Sequence, residues 1–258
     1  MFDPINAFRQ RIADGEFLVG TSIALSDAQT SEALAPSLDF LWIDLEHAPM
    51  SPEAVRGHLL AARYKGTPVV VRVADYTTPY VKNALDAGAP GVIAPQITSV
   101  DQVRSFVGDC RYPPQGKRGF GPTVPSDYGR DASAAYVARA NSGVFAAVMI
   151  ETVAAVEAIE DIVAVPGLDS IVLGPWDLSG SFGRLGEVDH PEVVAAIEKV
   201  IATARDAGVL VGSGMGNDPA FGRTMIERGV QWLQMSNDCG LLIWAAERMR
   251  HAVLGGAD

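Results

Sequence analysis

The residues best suited to chemistry in this chain close otherwise apolar runs. The run 40–45 leads into Trp42-Ile43-Asp44-Leu45-Glu46-His47, and the run 68–74 carries Arg72. The run 91–97 contains Ala94-Pro95-Gln96, the run 144–151 ends in Met149-Ile150-Glu151, and the run 169–174 leads into Pro175-Trp176-Asp177. Of the four histidines, His58 falls inside a helical pattern, His190 precedes one and His251 lies in the last. Only His47 ends a strand-like run, so it alone is placed as a general base. Lys65, Lys82, Lys117 and Lys199 all read as helix or loop residues, which leaves no strand lysine for a Schiff base. Carbonyl chemistry must then lean on a metal ion or on Arg72. Glu151 and Asp177 are the natural metal pair. Two carboxylates without cysteine or a second histidine favour a hard divalent ion, Mg²⁺ or Mn²⁺, with Co²⁺ as a further candidate. Such an ion keeps water positions that a two-oxygen chelator, for example a 2-oxo acid, can take.

Plainer counterparts exist for each of these residues: a structural ion pair for Glu151, a bridging role for Arg72, a loop histidine for His47. The convergence of several on one set of strand ends favours chemistry. The segment Gly212-Ser213-Gly214-Met215-Gly216 reads as a tight turn after the seventh run rather than a phosphate site, and the basic residues Arg111, Lys117, Arg118 and Arg130 as a solvated loop.

Eight elements are needed to position these groups. Apolar runs rich in Val, Ile and Leu occupy 17–25, 40–45, 68–74, 91–97, 144–151, 169–174, 208–213 and 230–236, with helical patterns between them. Continuous apolar strands alternating with helices indicate a parallel sheet covered by helices. Ser51, Ser99 and Asp189 stand where helix N-caps are expected, and Gly66, Gly88, Gly167, Gly208 and Gly229 where helices should end. No Gly-x-Gly-x-x-Gly turn follows the first run, which argues against an open dinucleotide-binding sheet. The predicted fold is a (β/α)8 TIM barrel, whose active sites lie at the C-terminal ends of the strands. A long Pro/Gly-rich connection over 111–130 interrupts the alternation.

The chain has 258 residues, which suits one such barrel, and the whole span 1–258 reads as a single domain. Its net charge of −11 disfavours nucleic acid and anionic membranes as partners. No apolar run reaches the roughly 18 residues of a membrane span. With two cysteines and no signal-peptide layout at the start, a cytoplasmic location is expected.

The same segments resemble the HpcH/HpaI aldolase family over nearly the whole chain. They are WIDLEHAPMS (42–51), VVVRV (69–73), LDAGAPGVIAPQI (85–97), YPPQGKRGFG (112–121), MIET (149–152) and AVEAIEDIVAVPGLDSIVLGPWDLSGSFG (155–183). The resemblance implies a metal-dependent class II aldolase that reversibly cleaves 4-hydroxy-2-oxo acids to pyruvate and an aldehyde. It also implies a homo-oligomer, trimer or hexamer, with the final helix (about 239–254) exchanged between subunits. Within it His47 is the base, Arg72 stabilises the enolate, Glu151 and Asp177 hold the metal, and Asp44 stands with the catalytic group. Asp86 of LDAG raises the basicity of the histidine. Topology places Asp86 at the far end of its own barrel, so it is expected to reach His47 only from a neighbouring subunit; a buried local partner in an isolated monomer would end that expectation. Met149, Pro175, Trp176 and Asp177 are the expected substrate contacts. Met149 stands where the family usually has Gln, and Trp176 where it usually has a small residue, so substrate preference should differ. The alternatives are a citrate-lyase or malyl-CoA-lyase type enzyme, and a non-catalytic barrel serving as scaffold.

Overall fold

A parallel sheet covered on both faces leaves no unpaired edge when it closes on itself, and this chain does so. In the computed structural model, which describes residues 1–255, the strands are β1 (Leu18–Ile23), β2 (Phe40–Asp44), β3 (Val69–Arg72), β4 (Gly91–Ala94), β5 (Phe145–Ile150), β6 (Ser170–Leu173), β7 (Leu210–Met215) and β8 (Trp232–Asn237). They pair in parallel and in chain order, and β8 returns to β1. The expected (β/α)8 barrel is therefore observed.

Alternation along each strand separates two apolar layers. One set of side chains, including Leu41, Ile43, Val71, Val92, Val148 and Ile171, faces the surrounding helices. The other fills the barrel: Leu18, Phe40, Trp42, Val70, Ile93, Phe145, Met149, Val172 and Trp232. The first helix, Asp3–Ala13, closes the end where the strands begin and inserts Phe8 among Phe40, Phe145 and Trp232. Burial of each such ring is worth about 1.5–3 kcal/mol, and edge-on pairing adds about 0.5–1.5 kcal/mol. Small residues make room for these rings: a side chain at Gly20 would collide with Phe40, and one at Gly212 with Trp232.

Local signals set the helix boundaries. Ser51 accepts from the Ala54 N–H and Ser99 from the Gln102 N–H, as caps should. The cap expected at Asp189 is instead His190, which accepts from the Glu192 N–H ahead of Pro191. All five glycines expected to end helices have positive φ.

Two further expectations are corrected. The segment Gly212–Met215 lies within β7 rather than in a turn after it, because Gly212 leaves room for the indole of Trp232 and Gly214 for the side chain of Gln234. Arg111 and Arg118 are buried rather than solvated, and they pair with Asp169 and Asp86. No helix among the described residues is long and apolar enough to cross a membrane.

Candidate active site

At the end where the strands stop, β2 and β3 are in register at Asp44 and Arg72. Arg72 donates through Nε to Asp44 Oδ1 at 2.9 Å and through a terminal nitrogen to Oδ2 at 2.6 Å. Its other terminal nitrogen lies 3.0 Å from Glu46 Oε2. Burial opposes the charge on Arg72, but the Asp44 bonds and the nearby Glu46 and Glu151 outweigh it and raise its pKa. The ring of Trp42 packs against the guanidinium, 5.4 Å from its carbon to the ring centre.

Asp44 also shapes the turn that follows it. Its Oδ1 accepts from the Glu46 N–H at 3.0 Å and the His47 N–H at 3.4 Å. This places Glu46 between the arginine and the imidazole, with His47 Nε2 at 3.6 Å from Glu46 Oε2. Burial raises the Glu46 pKa, with Arg72 and His47 opposing. The His47 side chain is 63% exposed and so reaches solvent at the rim. His58 is buried and bonded to Ser31, and His190 caps a helix. No described strand carries a lysine.

Glu151 follows β5 and is 1% exposed. Its Oε1 accepts from the Gln96 N–H at 2.7 Å, which Gln96 offers from a left-handed conformation with φ of 55°. That conformation is uncommon outside glycine, and the hydrogen bond to Glu151 helps to hold it. Oε2 is buried without a hydrogen-bond partner. It is accommodated because Gly174 has no side chain: a Cβ there would stand 2.6 Å from Oε2. Burial pushes the Glu151 pKa up to about 7, the Gln96 N–H opposes, and the charges of Glu46 and Asp177 push further. Asp177 lies in the first turn of the helix Pro175–Ser181, beyond the end of β6.

The orphaned Oε2, its glycine recess and a neighbouring carboxylate suit a divalent cation, since like charges gathered out of water need a counter-charge. Among the described residues no group of three or more His, Cys, Asp or Glu side chains gathers into a metal cage. Any ion here would be gripped by Glu151 and Asp177 alone, with its other positions left to water and ligand.

A cavity of about 150 Å³ opens beside these groups, lined by Arg72, Met149, Pro175, Trp176 and Asp177 and, from β8, Gln234. The residues singled out from sequence at 44, 47, 72, 149, 151, 175, 176 and 177 thus share one mouth. Asp86 does not. It ends the helix Thr78–Asp86, which returns to the start of β4, and its Oδ1 accepts from the buried Arg118 at 2.8 Å. Sequence reasoning missed the working position of Glu46, although the Asp-x-Glu-His spacing displays it. It also missed the Gln96 N–H, for which no side-chain signal exists.

Known proteins resemble this chain over nearly its whole length. The family model described as HpcH/HpaI aldolase/citrate lyase matches residues 22–245. A hydroxypyruvate/pyruvate aldolase from Pseudomonas aeruginosa is 34% identical over 256 residues, covering 98% of this chain and 95% of the relative. A 4-hydroxy-2-oxo-heptane-1,7-dioate aldolase from Salmonella paratyphi C is 35% identical over 246 residues, covering 95% and 93%. Among solved structures, a family protein from Burkholderia cenocepacia superposes with a TM-score of 0.89 at 34% identity, covering 97% of this chain and 100% of that one. The protein is a carbon–carbon lyase acting on small molecules, and its chain belongs to the HpcH/HpaI aldolase/citrate lyase family.

Proposed function

We propose that the protein is a metal-dependent aldolase that reversibly joins the methyl carbon of pyruvate to an aldehyde, giving a 4-hydroxy-2-oxo acid. The observation that carries this reading is the buried, unpartnered Oε2 of Glu151 beside Asp177 and the Arg72 cluster. The names of the relatives, which concern 2-oxo acids, support it. Glu151 and Asp177 would hold Mg²⁺ or Mn²⁺, with Co²⁺ a further candidate, and such an ion when bound supplies electrophilic stabilisation of a ketone oxygen.

The chain's own groups do the rest. Asp44 clamps Arg72 through two bonds, so the guanidinium is fixed before substrate arrives and stabilises charge developing on the ketone oxygen. His47 takes a proton from the methyl group. The resulting carbanion carbon bonds to the aldehyde carbon, and His47 returns the proton to the new alkoxide. Glu46, paired with both Arg72 and His47, orients the imidazole and balances its charge when protonated. Met149 and Trp176 bound the cavity with apolar surface and bear on which substrates enter.

A second copy of the chain is part of the proposal. The final helix, Asp238–Val253, exposes Leu242, Ile243, Trp244, Met249 and Val253. An apolar groove of about 320 Å³ beside β7, β8 and β1 is lined by Phe17, Val19, Leu233 and Met235 together with Leu241 and Trp244 of this same helix. Exchange of this helix in a trimer or hexamer would cover more of that face; Asp86, which has the buried Arg118 as its local partner, is not part of the proposal. A cytoplasmic setting completes the proposal.

The test is pyruvate release from a panel of 4-hydroxy-2-oxo acids, with and without a chelator. Release that stops on chelation and returns with Mg²⁺ or Mn²⁺ is expected. Full activity after complete metal removal would overturn the metal requirement, and no release from any member would overturn the aldolase.

A further inference from the structure

The cavity at the barrel mouth concentrates its charge on one side, and its other walls are largely apolar. Trp42, Met149, Leu173, Pro175, Trp176 and Met215 line it, and Arg72 is the only cation among its lining residues. Nε and both terminal nitrogens of that arginine already face Asp44 or Glu46. Asp177 is also on the lining, and Glu151 lies against Gly174. Carboxylates therefore outnumber cations here. A dication at Glu151 and Asp177 would offset only part of that excess once a 2-oxo acid brought its own carboxylate.

Trp176 is the unusual member of the apolar wall. Its indole is 62% exposed, and Leu185 in the turn beside it is 71% exposed. That turn is built to hold the ring. The buried Ser179 hydroxyl donates to the Trp176 carbonyl at 2.6 Å and accepts from the Gly186 N–H at 2.9 Å. Gly186 has a φ of 89°, and a Cβ on it would stand 3.3 Å from the indole, so backbone alone backs that part of the ring. The Arg184 N–H ties the same turn to the Ser179 carbonyl at 2.8 Å, while the Arg184 side chain is turned onto Glu192. The indole is thus fixed at the mouth with apolar surface left to water, which an apolar group of a ligand can cover.

A substituent that leads away from the ketone along this wall meets an indole and two thioethers, and no cation awaits it. We propose that Trp176 is a specificity-determining residue: its indole packs against an aromatic or aliphatic group at the far end of the substrate, so that the site takes uncharged aldehydes in preference to those ending in a second carboxylate. Burial of apolar surface favours the first class, and desolvation of an unpaired carboxylate among like charges disfavours the second. This rests on the aldolase reading for the role of the cavity, and names the aldehyde class that the reading leaves open.

The test is titration of the full-length protein, in the presence of Mg²⁺, with two 2-oxo acids that cannot undergo retro-aldol cleavage, 4-phenyl-2-oxobutanoate and 2-oxohexanedioate. The phenyl compound should bind about tenfold more tightly. Trp176→Ala should lower that ratio about five- to tenfold, Trp176→Phe should keep most of it, and Trp176→Lys should reverse the order. Should Trp176→Ala fail to fold, Trp176→Phe and Trp176→Lys decide. Equal or tighter binding of the diacid by the unaltered protein, binding of neither, or a ratio that the alanine and lysine variants leave unchanged overturns the assignment. Turnover of pyruvate with benzaldehyde and with succinate semialdehyde, measured alongside, separates the two readings. A binding preference without turnover leaves Trp176 assigned and overturns the aldolase, whereas turnover without the preference keeps the aldolase and overturns the assignment.

Discussion

The two ends of this barrel are built from the same eight strands and solve opposite problems. Where the strands begin, Phe8, Phe40, Phe145 and Trp232 meet edge to face, and Arg9 ties Asp169 to the carbonyls of Gly143 and Val144. Where they stop, Arg72 is shared between Asp44 and Glu46, and Glu151 keeps a buried oxygen with no partner. One end is packed around a cluster of rings with its charges paired at Asp169, and the other gathers carboxylates around a single arginine and leaves Glu151 Oε2 without a partner. The difference teaches that the closed end supplies stability, which the open end spends on holding groups in place that water would otherwise solvate better.

Three substitutions break or sharpen this contrast. The largest effect is expected from Arg72→Lys. It keeps a positive charge but loses the fork that grips Asp44 through two bonds. Steady-state assay of pyruvate release should show kcat reduced by about 10²–10³-fold, with a smaller change in KM. An undiminished kcat would mean that the mouth needs only charge and not preorganisation.

At the other end, Phe8→Ala removes the ring that three others contact. Urea denaturation should register a loss of about 3–5 kcal/mol, while the folded enzyme keeps its kcat within about twofold. A large loss of kcat without loss of stability would erase the division of labour.

The smallest effect, and the most diagnostic, concerns Glu151→Gln in the presence of chelator. The Glu151 pKa is raised by burial to about 7 from an ordinary value of 4.5. Below the ordinary value the carboxyl is protonated in both folded and unfolded states, and the substitution should be nearly neutral. As pH rises from 4.5 to 7 the unfolded state ionises first, so the wild-type fold loses stability, and the loss is complete above 7. Glu151→Gln should therefore stabilise the metal-free protein at pH 8 by at most about 3 kcal/mol, with no benefit at pH 4. Melting curves of both proteins across that range would show it. A glutamine variant whose advantage over wild type is no larger at pH 8 than at pH 4 would mean that the mouth holds no strain.

Much of this was legible in the chain. Apolar runs spaced by capped helical patterns indicated eight strands, and those runs became β1 to β8 with ends shifted by a few residues. Polar residues at the ends of such runs marked the mouth, because a side chain ending a parallel strand has nowhere else to project. Other assignments failed for reasons a linear pattern cannot hold. Gly212 and Gly214 read as turn residues, yet they lie in a strand because Trp232 and Gln234 fill the space they leave. Arg111 and Arg118 read as solvated, yet they are buried because Asp169 and Asp86, distant in sequence, come to meet them.

By itself, then, the sequence determined the strand count, the parallel order and the residues gathered at the mouth, since periodicity and capping act over a few neighbouring residues. Only the tertiary structure decided that Glu46 links Arg72 to His47, that the Gln96 N–H holds Glu151, and that the second oxygen of Glu151 is buried without a partner. Those relations depend on strand register and the absence of a side chain at Gly174, which bring together atoms that no local spacing connects.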